Sequence, residues 1–242
     1  MPKRNRDARM TVVEHLAELR RRLFICVIAV TIAAIVVYIF SLSIIRFLLE
    51  YYQDAVDNPD QALIFTGPLD AFATRLKVAT YGGIVFALPV WLFQLWRFVT
   101  PGLHPKEKRY AIPFVLSSVL FFCVGGFVAL VTLPRALDFL LNIGGSELEP
   151  LLTADRYLSL VSLMIVAFGI AFEFPVVLTF LLLARVITTR QLRRWRRGVI
   201  VAIALFAAII TPSQDPYSML LMMVPMYLFY EACILLGRIM KR

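Results

Sequence analysis

Six apolar runs, divided by short polar stretches, constrain this chain of 242 residues more than any other feature. They fall at about residues 23–45, 78–99, 110–133, 157–184, 198–211 and 217–237. A helix needs roughly 20 apolar residues to cross a bilayer, whose hydrocarbon core is about 30 Å thick. Within that core the backbone must satisfy its own hydrogen bonds, so runs of this length predict helices. The expected class is an all-α integral membrane protein, with residues 1–242 as one polytopic membrane domain. Composition agrees, with 60% hydrophobic residues and a mean hydropathy of +0.80, above the level of soluble domains. There is no internal repeat and no low-complexity tract.

Two runs depart from a plain span. The first is too long for a signal-peptide core and lacks a small-x-small cleavage site, so it is read as a retained span. In the fifth, the apolar stretch Val199–Ile210 would rise only about 18 Å as a helix. It is either a short span that thins the local bilayer or half of a re-entrant hairpin with the sixth run. Both return the C-terminus to the side it left.

Charge sets the orientation. With the N-terminus inside and the spans alternating, 20 of the 25 lysines and arginines fall on the inner side. That bias predicts N-in, C-in and an even number of spans. Most acids sort outward. The net charge of +9 is therefore a basic inner face suited to anionic lipids, not a nucleic-acid footprint. Arg193-Arg194-Trp195-Arg196-Arg197 reads as a headgroup anchor with an interfacial tryptophan. Cys26, Cys123 and Cys233 sit inside apolar runs at no metal-ligand spacing and are expected to be small buried residues. No nucleophile–base set, glycine-rich phosphate loop or metal cluster stands out. We expect no catalysis, no cofactor and no metal.

Polar residues that cost energy where they stand are the candidate functional residues. Residues 1–22 form a basic amphipathic N-terminus, whose Leu16 and Leu19 make a narrow apolar stripe with Leu23 at the start of the first run. Glu18 here, and Glu107 in the second inner loop, are acids surrounded by positive charge. They have two readings. In one, each is neutralised locally, Glu18 by Arg22 at i+4 and Glu107 by Lys106, Lys108 or Arg109. In the other, two acids on one membrane face grip a cationic ligand, for which guanidinium is suited by bidentate geometry. Glu173 sits mid-run beside Pro175, where a carboxylate must be protonated, paired or facing a polar cavity. Gln94, in the second run, is a further candidate for helix–helix contact. Glu231 is nearer a helix end, placed to snorkel or to pair with Arg238.

A set of motifs then stands in order. These are His15-Leu16-Ala17-Glu18-Leu19-Arg20-Arg21-Arg22-Leu23, Leu88-Pro89, and Phe98-Val99-Thr100-Pro101-Gly102-Leu103 followed by Glu107-Lys108-Arg109. Further on come Phe168-Gly169-Ile170-Ala171-Phe172-Glu173-Phe174-Pro175, Thr211-Pro212-Ser213-Gln214-Asp215-Pro216, and Pro225-Met226-Tyr227. With these the chain resembles the TatC family, the polytopic subunit of twin-arginine protein translocases, over nearly its whole length. The resemblance implies six spans, short fifth and sixth helices and a concave, glove-like face. It implies binding of twin-arginine signal peptides of folded substrates, and assembly with TatA/TatB-like single-span subunits in a multi-copy complex of a prokaryotic cell membrane. By position it implies signal-peptide roles for Glu18, Arg20, Phe98 and Glu107, a partner-helix role for Glu173, and a functional acid at Asp215 in an outer turn. Members often carry a proline just beyond the first span. Phe47-Leu48-Leu49-Glu50 has none, so the resemblance does not extend to the shape of that loop. Two other classes remain as alternatives: a proton- or ion-coupled transporter using Glu173, and a non-transporting membrane scaffold. No paired repeat with broken helices in matching halves supports the transporter.

Overall fold

The computed structural model describes residues 12–55, 63–99, 111–144, 152–213 and 215–239. Among them lie nine helices: α1 (Val12–Ile39), α2 (Ser41–Ala55), α3 (Asp70–Phe86), α4 (Leu88–Val99), α5 (Ala111–Asn142), α6 (Ala154–Phe172), α7 (Phe174–Leu183), α8 (Thr189–Ile210) and α9 (Pro216–Ile239). The extended pairing among these residues is one parallel bridge between Ile64 and Thr153. There the Ile64 amide donates to the Leu152 carbonyl at 3.3 Å and the Ala154 amide to the Ile64 carbonyl at 3.0 Å. The all-α membrane class expected from the runs is the class observed. The turn expected at Asn58-Pro59-Asp60 lies outside the described residues.

Among the described residues, four helical stretches are long and apolar enough to cross a membrane: Val13–Ile39, Ile112–Asn142, Ala154–Leu183 and Pro216–Ile239. The pair α3–α4, bent by 51°, makes a fifth when counted as one span. The fifth run is not among these by length and composition, because arginines fill the first half of α8 and leave its apolar half short. The sixth run lies in α9, whose 24 residues rise about 36 Å.

The runs are broken where the backbone chemistry changes. The first run reaches residue 45 in the sequence, but α1 stops at Ile39 and a new helix starts at Ser41. The amides of Ser43 and Ile44 both turn to the Phe40 carbonyl, at 3.0 and 3.2 Å. Arg75 of α3 donates to Ser41 Oγ at 3.0 Å and lies over the Tyr38 ring, which ties the break to the next hairpin arm. Beyond it α2 is helical through Phe47–Glu50, with no proline to stop it, and buries Leu48 and Tyr52. Tyr157 of α6 donates to the Leu48 carbonyl at 2.6 Å.

The second run bends at Ala87. Pro89 has no amide to continue the ladder, and it stands in the first turn of α4, where an amide would have no intrahelical partner in any case. One carbonyl left at the end of α3, that of Ile84, is met by the Trp91 indole N–H at 3.0 Å. The fourth run breaks at Glu173 for the same reason: Pro175 stands in the first turn of α7. The Glu173 amide is shared between the Ile170 and Ala171 carbonyls, which covers the acceptors at the end of α6.

α6 is the centre of the packing. Tyr157, Leu158, Val161, Met164, Phe168 and Phe172 are all buried, against α5 and α3 above all and against α2 and α9. In lipid this packing has no hydrophobic driving force between helices, so close contact must come from shape. Small residues provide it. A Cβ on Gly125 of α5 would lie 2.5 Å from the Phe168 carbonyl oxygen, and one on Gly169 would lie 2.5 Å from the Phe122 ring. α1 is the opposite case: only 6% of its apolar window is buried. Among the described residues it rests mainly on α3 and α4, with a lighter contact to α2.

Candidate functional site

The first turns of α1 and the end of α4 meet, and they bring three of the candidate residues, Glu18, Gln94 and Phe98, into one patch. α1 is continuous from Val12 to Ile39, so the amphipathic N-terminal segment is the start of the span itself. Leu16, Leu19 and Leu23 stay exposed on it. Glu18 and Arg22 are one turn apart and share a face. Arg22 Nε donates to Glu18 Oε1 at 3.0 Å, and Arg22 Nη2 pairs with the same oxygen. Arg22 Nη1 donates to Gln94 Oε1 of α4 at 3.2 Å. The two charged side chains are only 15% and 19% exposed. The second carboxylate oxygen of Glu18, Oε2, is buried and has no partner among the described residues.

One turn before Glu18, the His15 ring stacks on Phe98 with centroids 4.3 Å apart. His15, Glu18, Arg22, Gln94 and Phe98 therefore form a continuous strip across two helices. Arg20 does not join it: two residues from Glu18 it points to another side of the helix and is exposed. Glu107 lies outside the described residues, so no geometry is assigned between it and Glu18.

The remaining candidates lie elsewhere. Glu173 sits at the α6–α7 break and is half-buried. Ser118 of α5 lies beside its carboxyl group, whose Oε1 is buried without a partner among the described residues. The nearby Pro175 carbonyl accepts from Thr179 Oγ1 at 2.7 Å and from Cys233 Sγ at 3.5 Å. Asp215 is fully buried in the turn before α9. It accepts from the Ser218 amide at 2.7 Å and from the Ser213 hydroxyl, so it caps the helix that Pro216 opens. Two expectations are corrected. Glu231 pairs with Arg196 of α8 at 2.6 Å, not with Arg238, and also accepts from Tyr227 at 3.1 Å. Of the three cysteines only Cys233 is buried. Cys123 lies on an exposed face of α5, because that helix turns a wide side to lipid.

The family model for the Sec-independent protein translocase protein (TatC) matches residues 14–225. The chain belongs to the TatC family. It is 42% identical over 241 residues to the Sec-independent protein translocase protein TatC of Frankia casuarinae, covering 96% of this chain and 66% of that one. With the TatC of Aquifex aeolicus it shares 40% over 238 residues, covering 96% of this chain and 97% of the other. A crystal structure of the twin-arginine translocase receptor TatC superposes with a TM-score of 0.78 at 39% identity, over 95% of this chain and 100% of that chain. A second, of the same receptor in DDM, gives 0.79 at 40% identity, over 93% and 99%. As a TatC-family protein the chain is a membrane component of a protein translocase.

Within this TatC-family fold, two members of the strip were not legible in the sequence. Arg22 stood out as a helical neighbour of Glu18, but not as a bridge to Gln94, which is 72 residues away. His15 carried no signal beyond its place in a motif. Ser118, which meets Glu173, is a single hydroxyl in an apolar run and is indistinguishable there from a packing residue.

Proposed function

We propose that this chain is the receptor and core subunit of a twin-arginine protein export system. It binds the signal peptide of folded substrates on the basic face and assembles with TatA/TatB-like single-span subunits in a multi-copy complex. The observation that carries this is the Glu18 carboxylate. It already holds one guanidinium, that of Arg22, and keeps a second oxygen buried and without a partner among the described residues. Such a group meets an incoming arginine with geometry rather than with charge alone. Its surroundings are basic, so a peptide carrying two arginines is repelled everywhere except at an acid placed to receive it. Glu107 supplies the second acid, and Phe98 with His15 supplies an aromatic wall for the residues that follow. Arg20 stands beside the site and sets its field. Glu173, with one carboxyl oxygen unmatched inside the described fold, receives a polar group from a partner helix, and Gln94 links that helix system to the peptide site. Asp215 fixes the outer turn between α8 and α9. Both termini face the cytoplasm, and anionic lipids lie against the basic face.

One experiment reads both sites. A photo-reactive residue is placed at Leu95, on α4 beside the strip, or at Val177, one turn from Glu173 and exposed. Membranes holding the single-span subunits are irradiated with and without a twin-arginine peptide. Leu95 should capture the peptide. Capture should fall at least tenfold in Glu18→Ala and Glu107→Ala, and should weaken when the peptide arginines become lysines, by loss of about 1.4 kcal/mol or more of charge-assisted hydrogen bonding. Val177 should capture a single-span subunit. Unchanged peptide capture in both glutamate variants overturns the site, and capture of lipid alone from Val177 overturns the partner role of Glu173. The transporter and scaffold alternatives gain no support from the family.

A further inference from the structure

We propose that the cleft between the start of α8 and the end of α9 binds the phosphate of an anionic phospholipid. The cleft has a volume of about 630 Å³ and is lined by Thr189, Arg190, Arg193, Arg194, Arg196 and Arg238. It is built rather than left over. Thr188 and Gln191 form a reciprocal capping box that starts α8 at a fixed residue. The end of α9 is seated directly on that first turn: a Cβ on Gly237 would collide with Thr189 Cγ2. Glycine lets the two helices approach this closely without displacing the Thr189 side chain, and the next residue is Arg238. The fold thus delivers one arginine from α9 into a group of four from α8.

Among the described residues, the guanidinium groups are not balanced from within. Among the described residues Arg196 alone of the five is in an ion pair. Its Nη2 is turned to Glu231, and its Nε is shielded from solvent with no acceptor among the described residues. The other four face the cleft with no acid among its lining residues. Gathering like charges is unfavourable, and a bound anion relieves it. Planar guanidinium forks match phosphate oxygens two at a time. The first turn of α8 adds its N-terminal dipole in the same direction.

Phosphate chemistry is shared by a lipid headgroup and by free phosphate. The surroundings favour the lipid. Directly beyond the arginines α8 exposes Val201, Leu205 and Ile209, at 67%, 61% and 70%, and Trp195 is half-exposed beside the cleft. A site with an anion cleft at one level and a bare apolar flank along the same helix fits an amphiphile.

The test uses the full chain in detergent, with equal amounts of phosphatidylglycerol and phosphatidylcholine, and counts retained lipid by native mass spectrometry. The unmodified chain should retain phosphatidylglycerol about tenfold over phosphatidylcholine. The combined Arg193→Gln, Arg194→Gln and Arg238→Gln variant should fall to about twofold or less. A control with Arg135→Gln and Arg156→Gln, remote from the cleft, should keep the preference. Excess inorganic phosphate should leave the lipid in place; its displacing the lipid assigns the cleft to free anions and overturns the lipid proposal. Equal retention of the two lipids by the unmodified chain overturns it without reference to any variant. An undiminished preference in the triple variant overturns the location. No peptide is present, so the outcome is independent of the receptor assignment.

Discussion

Asp215 shows how much one side chain holds in place. It is a carboxylate with no exposure to solvent, and its two oxygens are taken by a serine hydroxyl and a helix-capping amide. Replacing an N-cap acid with alanine costs about 0.5–2 kcal/mol, and an orphaned buried amide adds to that. Asp215→Ala should therefore lower the unfolding midpoint in detergent clearly more than Asp215→Asn, which keeps an acceptor for the Ser218 amide. Equal loss in both would mean that charge, not the cap, is what the turn needs. The cap was foreseeable from Asp215-Pro216 opening an apolar run. The Glu18–Arg22 pair was equally legible, since it depends only on helical spacing. The Arg22–Gln94 bond and the Arg196–Glu231 pair were not. Both join residues distant in the chain, so the crossing of two helices decides them, and no local pattern records a crossing.

At the scale of elements, α5 and α6 cross at glycines, and the two sides of that contact differ in what can yield. A methyl on Gly125 meets the backbone carbonyl of Phe168, which cannot rotate away. Gly125→Ala should destabilise the protein by about 1–3 kcal/mol. Gly198, inside α8, has open space within 4 Å of where a methyl would sit, so Gly198→Ala should stabilise by about 0.5–1 kcal/mol through helix propensity. Thermal unfolding of the two variants beside the parent checks both, and a stabilised Gly125→Ala would refute the close crossing. The helices themselves were legible from run length. Their breaks at Ala87 and Glu173 were only partly so. Pro89 and Pro175 marked the places, but a proline in a run is also compatible with a continuous kinked helix, and neighbouring donors such as the Trp91 indole decide how far it opens. The break at Phe40 had no marker at all, having neither proline nor glycine.

For the whole molecule, the charge sorting makes a prediction that does not depend on any single contact. In a cysteine-free background, Arg193→Cys and Asp138→Cys should react with a membrane-impermeant maleimide from opposite sides of the membrane, Arg193→Cys only after the cytoplasmic face is opened. Labelling of both from one side would overturn the N-in, C-in arrangement. The number of full spans was the least legible property. The sequence shows six runs, yet among the described residues length and composition admit four crossing helices, or five with the bent pair. The difference lies in α8, where the arginines that draw one end to a headgroup layer shorten the part that can enter hydrocarbon.

The bend at Ala87 has a mechanical consequence. Phe98 lies about 16 Å beyond it along α4, at the helical rise per residue. A swing of about 10° at the bend therefore moves that ring by about 3 Å, as far as a hydrogen bond is long. Gln94, at about two thirds of the arm, moves roughly 2 Å and loses or gains its hold on Arg22. The arm amplifies: small adjustments where α3 is gripped by its neighbours become large ones at the strip, and the gain is set by the distance from pivot to tip.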